Sequence, residues 1–166
     1  MDTFICRNCG VEHTELSSLA FNAPFHYDIL NPVDKEKLAD KDDDFCVINH
    51  KDQIDYFIRV VLQVPILDHD ESLDYGVWVS VSKETIDDYR LMFATKEVEE
   101  KSYFGMLCNE ITDYEISTIG LYMQVSTQLY GYRPLLIPYE SEHPLVQDWL
   151  NGISRDEAVR RVKSVL

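Results

Sequence analysis

Basic side chains are scarce in this sequence. The 166-residue chain holds 15 Lys and Arg residues against 30 Asp and Glu residues, which gives a net charge of −15. Nucleic-acid phosphates and anionic membrane surfaces are both bound through clustered Lys and Arg side chains. We therefore expect no nucleic-acid partner and no membrane partner, and a protein partner, if there is one, to be basic.

Long apolar runs are also missing. No stretch approaches the length of about 18 apolar residues that a membrane-spanning helix needs. The first residues, Met1 to Cys6, lack both the basic region and the apolar stretch of a secretory signal peptide. We therefore expect a cytoplasmic protein, whose four cysteines are either reduced thiols or metal ligands.

Glycine-rich and nucleophile motifs do not occur. The six glycines are scattered, so there is neither a phosphate-binding loop nor a dinucleotide-binding fingerprint. No G-x-S-x-G motif places a serine nucleophile in a strained turn. Catalytic groups are often assembled from distant residues, so an enzyme is not excluded, but no motif favours one.

The apolar content is sufficient for a single core. Hydrophobic residues make up 45% of the chain, and they include 7 Phe, 10 Tyr and 2 Trp. A chain of this length buries roughly 70% of its unfolded surface without the help of disulfides. We predict one domain over residues 1–166, with a Cys-containing N-terminal segment, residues 1–25, packed on it.

Period-two alternation predicts most of the strands. The clearest is 54–64, in which every second residue is apolar. Further strands are predicted at 45–48, 75–82, 118–127 and 133–139. Because few crossover helices separate these strands, the pattern predicts an α+β fold. We expect a mainly antiparallel sheet of about five strands, flanking helices and an N-terminal zinc-knuckle-like segment.

Three helices have well-marked starts. Asn31 caps the first, with Pro32 at the first helical position, and Ser82 caps the second. Ser154 and Glu157 form a capping box at the start of the last helix. The apolar residues expected to face the core are Ile86, Tyr89, Met92 and Phe93 in the second helix and Val159, Val162, Val165 and Leu166 in the last.

The sharpest local motif is Cys6-Arg-Asn-Cys9-Gly10, which has the shape of a zinc knuckle. The turn places both sulfurs on one side, and a glycine tolerates the left-handed backbone that such a turn requires. A closed site needs four ligands; His13 is the nearest candidate and Cys46 the most plausible distant one. The predicted cofactor is therefore a structural zinc ion on Cys6, Cys9, His13 and Cys46. The alternative, a pair of ordinary reduced cysteines, stays open because the chain has no second C-x-x-C pair.

Two acidic loops resemble ligand sites only superficially. Asp40, Asp42 and Asp44 alternate as calcium ligands do, but the sixth loop position is Phe45 instead of Gly. The sequence Asp-His-Asp at 68–70 is typical of a hydrated loop. We interpret both segments as solvated loops.

Two isolated polar residues are also given structural interpretations. Arg59 lies within the apolar strand 54–64, where we expect it to pair with a carboxylate on a neighbouring strand. His143 precedes Pro144, and we expect its side chain to order the local turn instead of acting as a general base.

Short motifs follow one another along nearly the whole chain: Phe4-x-Cys6-x-x-Cys9-Gly10-x-x-His13, Asp44-x-Cys46, Phe57-Ile58-Arg59, Val64-Pro65, Tyr75-Gly76-Val77-Trp78-Val79-Ser80-Val81-Ser82, Tyr103-Phe104-Gly105, Arg133-Pro134, His143-Pro144-Leu145 and Gly152-Ile153. In this order they resemble an uncharacterised bacterial family, the domain-of-unknown-function family 2199. The resemblance implies a single bacterial domain and a shared framework for Cys6, Cys9, His13 and Cys46, and it assigns no reaction.

Two classes of function remain. The first is a non-catalytic acidic protein-binding module; a particular version is an immunity-type protein that neutralises a basic toxin. Residues 34–74 hold 12 acids against 5 bases, which predicts a concentrated acidic patch for such a role. The alternative is a small metal-dependent, hydrolase-like enzyme with a Cys/His metal site, an open coordination position and a general base. The sequence leaves the oligomeric state open.

Overall fold

The computed structural model describes residues 19–165 and, ahead of them, two short strands. Ten strands and five α-helices occur in this part of the chain. The strands are β1 (Phe4–Ile5), β2 (Glu12–His13), β3 (Leu19–Ala20), β4 (Ala39–Lys41), β5 (Phe45–Asn49), β6 (Ile54–Pro65), β7 (Ser72–Val81), β8 (Ser102–Leu107), β9 (Tyr122–Ser126) and β10 (Leu135–Pro138). The helices are α1 (Phe25–Asp28), α2 (Pro32–Leu38), α3 (Lys83–Thr95), α4 (Pro144–Asn151) and α5 (Arg155–Val165).

Five strands form a barrel-like sheet. Strands β6 to β10 pair antiparallel with their neighbours in chain order, and β10 returns to pair parallel with β6. At this closure Leu135 lies opposite Val61, whose N–H donates 2.9 Å to the carbonyl of Pro134. Strand β3 extends the sheet beside β7, while β5 and then β4 extend it beside β6. The prediction of a mainly antiparallel sheet is therefore confirmed, and the described sheet has eight strands, more than expected.

The core of the barrel follows from the alternation in β6. Val60, Leu62 and Val64 are fully buried, whereas Gln63 between them is exposed. Since successive side chains of a strand point to opposite faces, the apolar set of β6 lines the interior. The ten-residue antiparallel pairing with β7 adds Val77 to the same interior, so the predicted strand and its partner are confirmed.

Strand β8 is an element that alternation in the sequence does not predict. Its outward residues, Phe104 and Met106, are apolar although they are exposed, so the apolar–polar contrast of a half-buried strand is missing. Its inward residues include Gly105, where an added Cβ would lie 3.1 Å from the Ser80 carbonyl oxygen and from a methyl group of Val125. A glycine at this position therefore lets neighbouring strands approach closely across the barrel interior.

The predicted helix starts are confirmed by their caps. Asn31 Oδ1 accepts from the N–H of Asp34 at 2.9 Å, and Ser82 Oγ accepts from Thr85 at 3.1 Å. Ser154 Oγ accepts from the N–H of Glu157 at 3.1 Å. Each side-chain oxygen satisfies a backbone donor that the first helical turn leaves unpaired.

Two predicted core positions are wrong. Phe93 near the end of α3 is 42% exposed, and Val165 at the end of α5 is 61% exposed. The other predicted positions of α3 are buried, and Val159 and Val162 seat α5 on the barrel. Helix ends project beyond the surface that the middle turns cover, which accounts for both errors. Among the described residues, no helix has the length and hydropathy needed to cross a membrane.

Candidate functional site

The side of the sheet that faces away from the barrel interior, here called the outer face, is half covered and half uncovered. Phe57, Ser80, Met106 and Tyr122 lie in one row across β6 to β9. Residues 21–39 cover the β5–β7 end of this face, where Phe57 is 1% exposed. At the other end of the row Tyr122 is 58% exposed.

The uncovered half carries a cluster of aromatic and aliphatic side chains, here called the aromatic face. The ring centroids of Phe104 and Tyr122 are 5.3 Å apart in an edge-to-face arrangement. The ring of Tyr139 lies 5.9 Å from that of Phe104 and within 18° of parallel. These contacts fix the rings against one another although each ring is open to solvent. The members of the aromatic face are Phe104 and Met106 of β8, Tyr122 of β9, and Ile137 and Tyr139 at the end of β10.

Two carboxylates border the aromatic face, each in a hollow that it shares with members of the face. Glu140 lines a hollow of about 320 Å³ with Tyr122 and Tyr139. Asp55 lines a second hollow, of about 280 Å³, with Met106. A third hollow, beyond the neighbouring ends of β8 and β9, is lined by both Glu100 and Lys101 and by no member of the aromatic face. The aromatic face itself carries no charged side chain, so an uncharged centre is bordered by acids.

The covered half of the outer face is held by buried hydrogen bonds. The indole N–H of Trp78 donates 3.0 Å to the carbonyl of Phe21, and Asn109 Oδ1 accepts from the backbone N–H of Trp78 at 2.7 Å. The amide nitrogen of Asn109 donates 2.9 Å to the carbonyl of Ala23. Asn109 therefore joins β7 to the N-terminal segment. Beyond this cover the outer face is open to solvent, since Phe104 of β8 is 47% exposed and Tyr122 of β9 is 58% exposed.

A buried arginine holds α5 against the rest of the molecule. Arg161 is 5% exposed, and its guanidinium donates to the hydroxyls of Tyr75 at 3.2 Å and Tyr114 at 2.8 Å. It also donates to Asp148 at 3.0 Å and to Glu157 at 2.9 Å. Burial lowers the pKa of Arg161, but the hydrogen bonds to Glu157, Tyr75 and Tyr114 outweigh it and raise the pKa above its ordinary value. The group is therefore a permanent cation.

The tyrosines of this network stay protonated. Burial, reinforced by the hydrogen bond to Asp148, raises the pKa of Tyr114, and burial also raises the pKa of Tyr75. The Tyr75 hydroxyl donates 3.0 Å to Asp113. Arg161, its four partners and Asp113 thus satisfy one another, and we interpret this network of six residues as a structural joint between α4, α5, β7 and the loop after β8.

The predicted metal ligands are described only in part. Cys6 and Cys9 lie outside the described residues, as does the side chain of His13. Cys46 is fully buried on the covered half of the outer face, and burial raises the pKa of its thiol to about 12. The described residues contain no group of three or more candidate metal ligands, so the zinc site stays a prediction.

The acidic stretch 34–74 does not form the single patch that its composition predicts. Strand β6 spans its middle, and at about 3.3 Å per residue the twelve residues of β6 separate its ends by roughly 40 Å. Residues 34–55 lie beside the first half of β6, where Phe45 pairs with Ile58 and the adjoining Asp44 accepts from Arg133 Nε at 2.9 Å. Residues 68–74 lie at the far end, where Glu71 pairs with Arg155. The fold therefore divides the acids into two groups and neutralises part of each.

Two other predictions concern single residues and have opposite outcomes. Arg59 does not pair with a carboxylate in the described structure: its guanidinium lies 5.8 Å from the Trp78 ring centroid and donates to the Asp43 carbonyl. The nearby carboxylate of Asp44 forms an ion pair with Arg133 instead, so it is not available to Arg59. His143 does order its turn, because its Nδ1 accepts from the N–H of Leu145 at 3.0 Å.

Residues 68–70 are confirmed as an exposed loop, whereas Asp40 of the other predicted loop lies in strand β4 and only residues 42–44 form a turn. Asp42 Oδ1 accepts from the N–H groups of Asp44 and Phe45 at 2.8 and 2.7 Å, which closes a tight turn between β4 and β5. Residues 68–70 are exposed in the turn between β6 and β7, where Asp68 has a φ of 62°.

The fold and the site define a small α+β protein in which a barrel-like sheet presents an aromatic face bordered by acids. The chain belongs to the domain-of-unknown-function family 2199, described as uncharacterized proteins conserved in bacteria, whose family model matches residues 5–153. The resemblance seen in the sequence motifs is thereby confirmed. No curated protein and no solved structure matches the chain significantly.

Proposed function

We propose that this protein is a non-catalytic binding module whose aromatic face binds a basic protein. The observation that carries the proposal is an uncharged cluster of exposed rings flanked by the carboxylates of Asp55 and Glu140, in a chain of net charge −15. The alternative function, a metal-dependent hydrolase, has no comparable support among the described residues.

The composition of the aromatic face supports a protein contact. Tyr, Phe and Met are enriched at the centres of protein interfaces, while charged residues are depleted there. Tyr122 and Tyr139 are well suited as anchors because a tyrosine buries a large area at the cost of few rotatable bonds. Their mutual packing through Phe104 also reduces the entropy lost when a partner binds.

Charge complementarity selects the kind of partner. Glu140 and Asp55 border the aromatic face, so Lys or Arg side chains beside an apolar centre would match it. A second copy of this chain would bring another −15 charge to the contact and be repelled. A basic toxin, neutralised by this chain as an immunity-type protein, is one partner with the required charge.

We also propose that Cys6, Cys9, His13 and Cys46 bind a structural zinc ion and that the protein acts in the cytoplasm. Support for the metal is the knuckle-like spacing of Cys6 and Cys9. Support for the compartment is that neither Cys46 nor Cys108 forms a disulfide among the described residues.

The binding proposal is tested with variants of the tagged full chain expressed in its native host. Tyr122→Ser combined with Tyr139→Ser removes two rings of the aromatic face. Leu91→Ser is the matched control, because Leu91 is 63% exposed on α3, away from this face. Proteins recovered with the wild type are identified, purified and titrated against all three chains.

We expect a basic partner whose dissociation constant rises at least about tenfold for the double variant and is unchanged for Leu91→Ser. Binding should weaken as salt rises from about 50 to about 300 mM, since screening reduces the charge complementarity. The proposal is overturned if no partner is recovered in stoichiometric amount at either salt concentration. It is also overturned if the partner binds the double variant as tightly as the wild type.

A further inference from the structure

A cavity lies where the covered half of the outer face meets the aromatic face. Its volume is about 280 Å³, near the lower end of the range of small-molecule sites, about 300–1,000 Å³. Strands β6, β7 and β8 form its floor, and helix α1 and the loop after β8 form its walls. The lining residues used in the argument are His26, Gln53, Asp55, Phe57, Ser80 and Met106.

The floor of the cavity is apolar and aromatic. The His26 ring stacks on the Phe57 ring, with centroids 5.5 Å apart and planes 28° apart. Met106 is 38% exposed and forms part of the rim towards the aromatic face. A short hydrocarbon chain would be removed from water along these surfaces.

The polar groups of the cavity favour a ligand that carries N–H donors and positive charge. Asp55 is the one acidic residue of the lining, and no Lys or Arg lines the cavity. Its carboxylate is held in place by Gln53 Nε2 at 2.6 Å and His50 Nε2 at 3.3 Å. His26 Nδ1 is buried and has no hydrogen-bond partner among the described residues. Because the surface of this nitrogen is closed to solvent, the recognition of a ligand N–H falls to Asp55.

The cysteine beside the cavity does not point to covalent chemistry. Cys108 Sγ lies 3.3 Å from the carbonyl oxygen of Met106, to which it donates. Burial raises the pKa of this thiol to about 11, so it is protonated near neutral pH and is a poor nucleophile. The cavity is therefore suited to reversible binding.

We propose that this cavity binds a small organic cation, an ammonium or guanidinium group on a short apolar chain. The charged group donates to the Asp55 carboxylate, while the chain lies against Met106 and the ring of His26. This inference does not depend on the proposed function, because it requires neither a protein partner nor the rings of the aromatic face.

The test is an NMR titration of the isotope-labelled full chain with n-butylguanidinium, n-butylammonium and, as the neutral comparison, n-butanol. We expect both cations to cause saturable shift changes centred on His26, Phe57 and the Met106 methyl group. We expect n-butanol to bind at least about tenfold more weakly, since it lacks the charge that Asp55 recognises.

A pair of variants separates a specific site from general attraction to an acidic protein. Asp55→Asn should weaken binding of both cations at least about tenfold. Asp52→Asn, which removes an exposed charge from the same hairpin, should leave binding unchanged. Equal affinity for n-butanol, equal effects of the two variants, or shifts that do not saturate would each overturn the proposal. The n-butanol comparison uses the unchanged chain and stands even if Asp55→Asn disturbs the hairpin.

Discussion

The guanidinium of Arg161 in the last helix lies 2.8 Å from the hydroxyl of Tyr114, in the long loop that follows β8. Its centre is also 4.9 Å from the centroid of the Tyr114 ring, so the same side chain contacts both the edge and the face of the aromatic group. Asp148 of α4 accepts from both residues, at 2.7 Å from Tyr114 and 3.0 Å from Arg161. Three separate segments are thus joined through one cation.

Replacing this cation should destabilise the protein strongly. Arg161→Met keeps most of the side-chain volume but leaves Asp148 partly buried without its charge partner. Removing one member of a buried ion pair typically costs about 3–5 kcal/mol in the free energy of unfolding. Urea denaturation measures the loss. Arg160→Met is the control and should cost clearly less, because Arg160 is exposed beside Arg161. Equal losses for the two variants would contradict the role of Arg161 as a joint.

Glu157 should make stability depend on pH in the acid range. Its hydrogen bond from Arg160, together with that from Arg161, lowers the pKa of this carboxyl from 4.5 to about 2. A lowered pKa in the folded state contributes stability that is complete above about pH 4.5 and is lost as the pH falls towards about 2.

Glu157→Gln should therefore be less stable than the wild type at pH 6, and the difference should shrink as the pH is lowered from about 5 to about 2. Chemical denaturation at a series of pH values measures it. Glu97→Gln removes an exposed acid that forms no ion pair among the described residues and should change the free energy of unfolding little at pH 6. A pH-independent difference for Glu157→Gln would contradict the lowered pKa.

Two glycines of the sheet should respond differently to the same substitution. Gly105→Ala places a Cβ 3.1 Å from backbone and side-chain atoms of β7 and β9, and such overpacking costs about 1–3 kcal/mol. Gly76→Ala meets its nearest neighbour, Ala20, at an ordinary contact distance of 3.4 Å and should be nearly neutral. Thermal unfolding of both variants distinguishes the positions. Equal melting temperatures for Gly105→Ala and Gly76→Ala would contradict the close approach of β7 and β9 to β8 at Gly105.

The described thiols should be unreactive in the folded protein. Cys46 and Cys108 are buried, and burial raises the pKa values of their thiols to about 12 and about 11. In a Cys6→Ser, Cys9→Ser background, Ellman's reagent at pH 8 should modify neither thiol within minutes, and both after unfolding in guanidinium chloride. Leu91→Cys in the same background, at an exposed position, is the positive control and should react at once.

The zinc proposal predicts one zinc ion per chain in protein purified without chelator. Cys6→Ser should remove the metal, because a closed structural site needs all four ligands. Cys108→Ser is the matched control and should retain it, since this cysteine is not among the proposed ligands. Elemental analysis combined with native mass measurement gives the metal content. Zinc-free wild type, or equal zinc in the two variants, would contradict the site.

The sequence predicts the elements whose signals are local. Every second residue of β6 from Ile54 to Val64 is apolar, and each of the three helix caps supplies an oxygen within three residues of its donor, at Asn31, Ser82 and Ser154. These features depend on neighbours along the chain, so they can be read without knowing the fold.

The aromatic face and the Arg161 joint depend on residues that only the fold brings together. Phe104 and Tyr122 resemble core residues in sequence, and their exposure results from β8 and β9 lying beyond the cover that the N-terminal segment provides. Arg161 resembles one of four basic residues on a solvated helix, and its burial results from Tyr114 and Asp148. The pairing of Arg59 was mispredicted for the same reason, because Arg133 occupies the nearby acid.

The closure of β10 on β6 has a consequence for the chain during synthesis. Before Leu135 leaves the ribosome, one edge of β6 around Val61 has unpaired backbone groups beside a row of apolar side chains. Such an edge is a template for pairing with other nascent chains. Translation products that end short of β10 should therefore aggregate or be degraded. In chains that include β10, this strand pairs with the edge of β6.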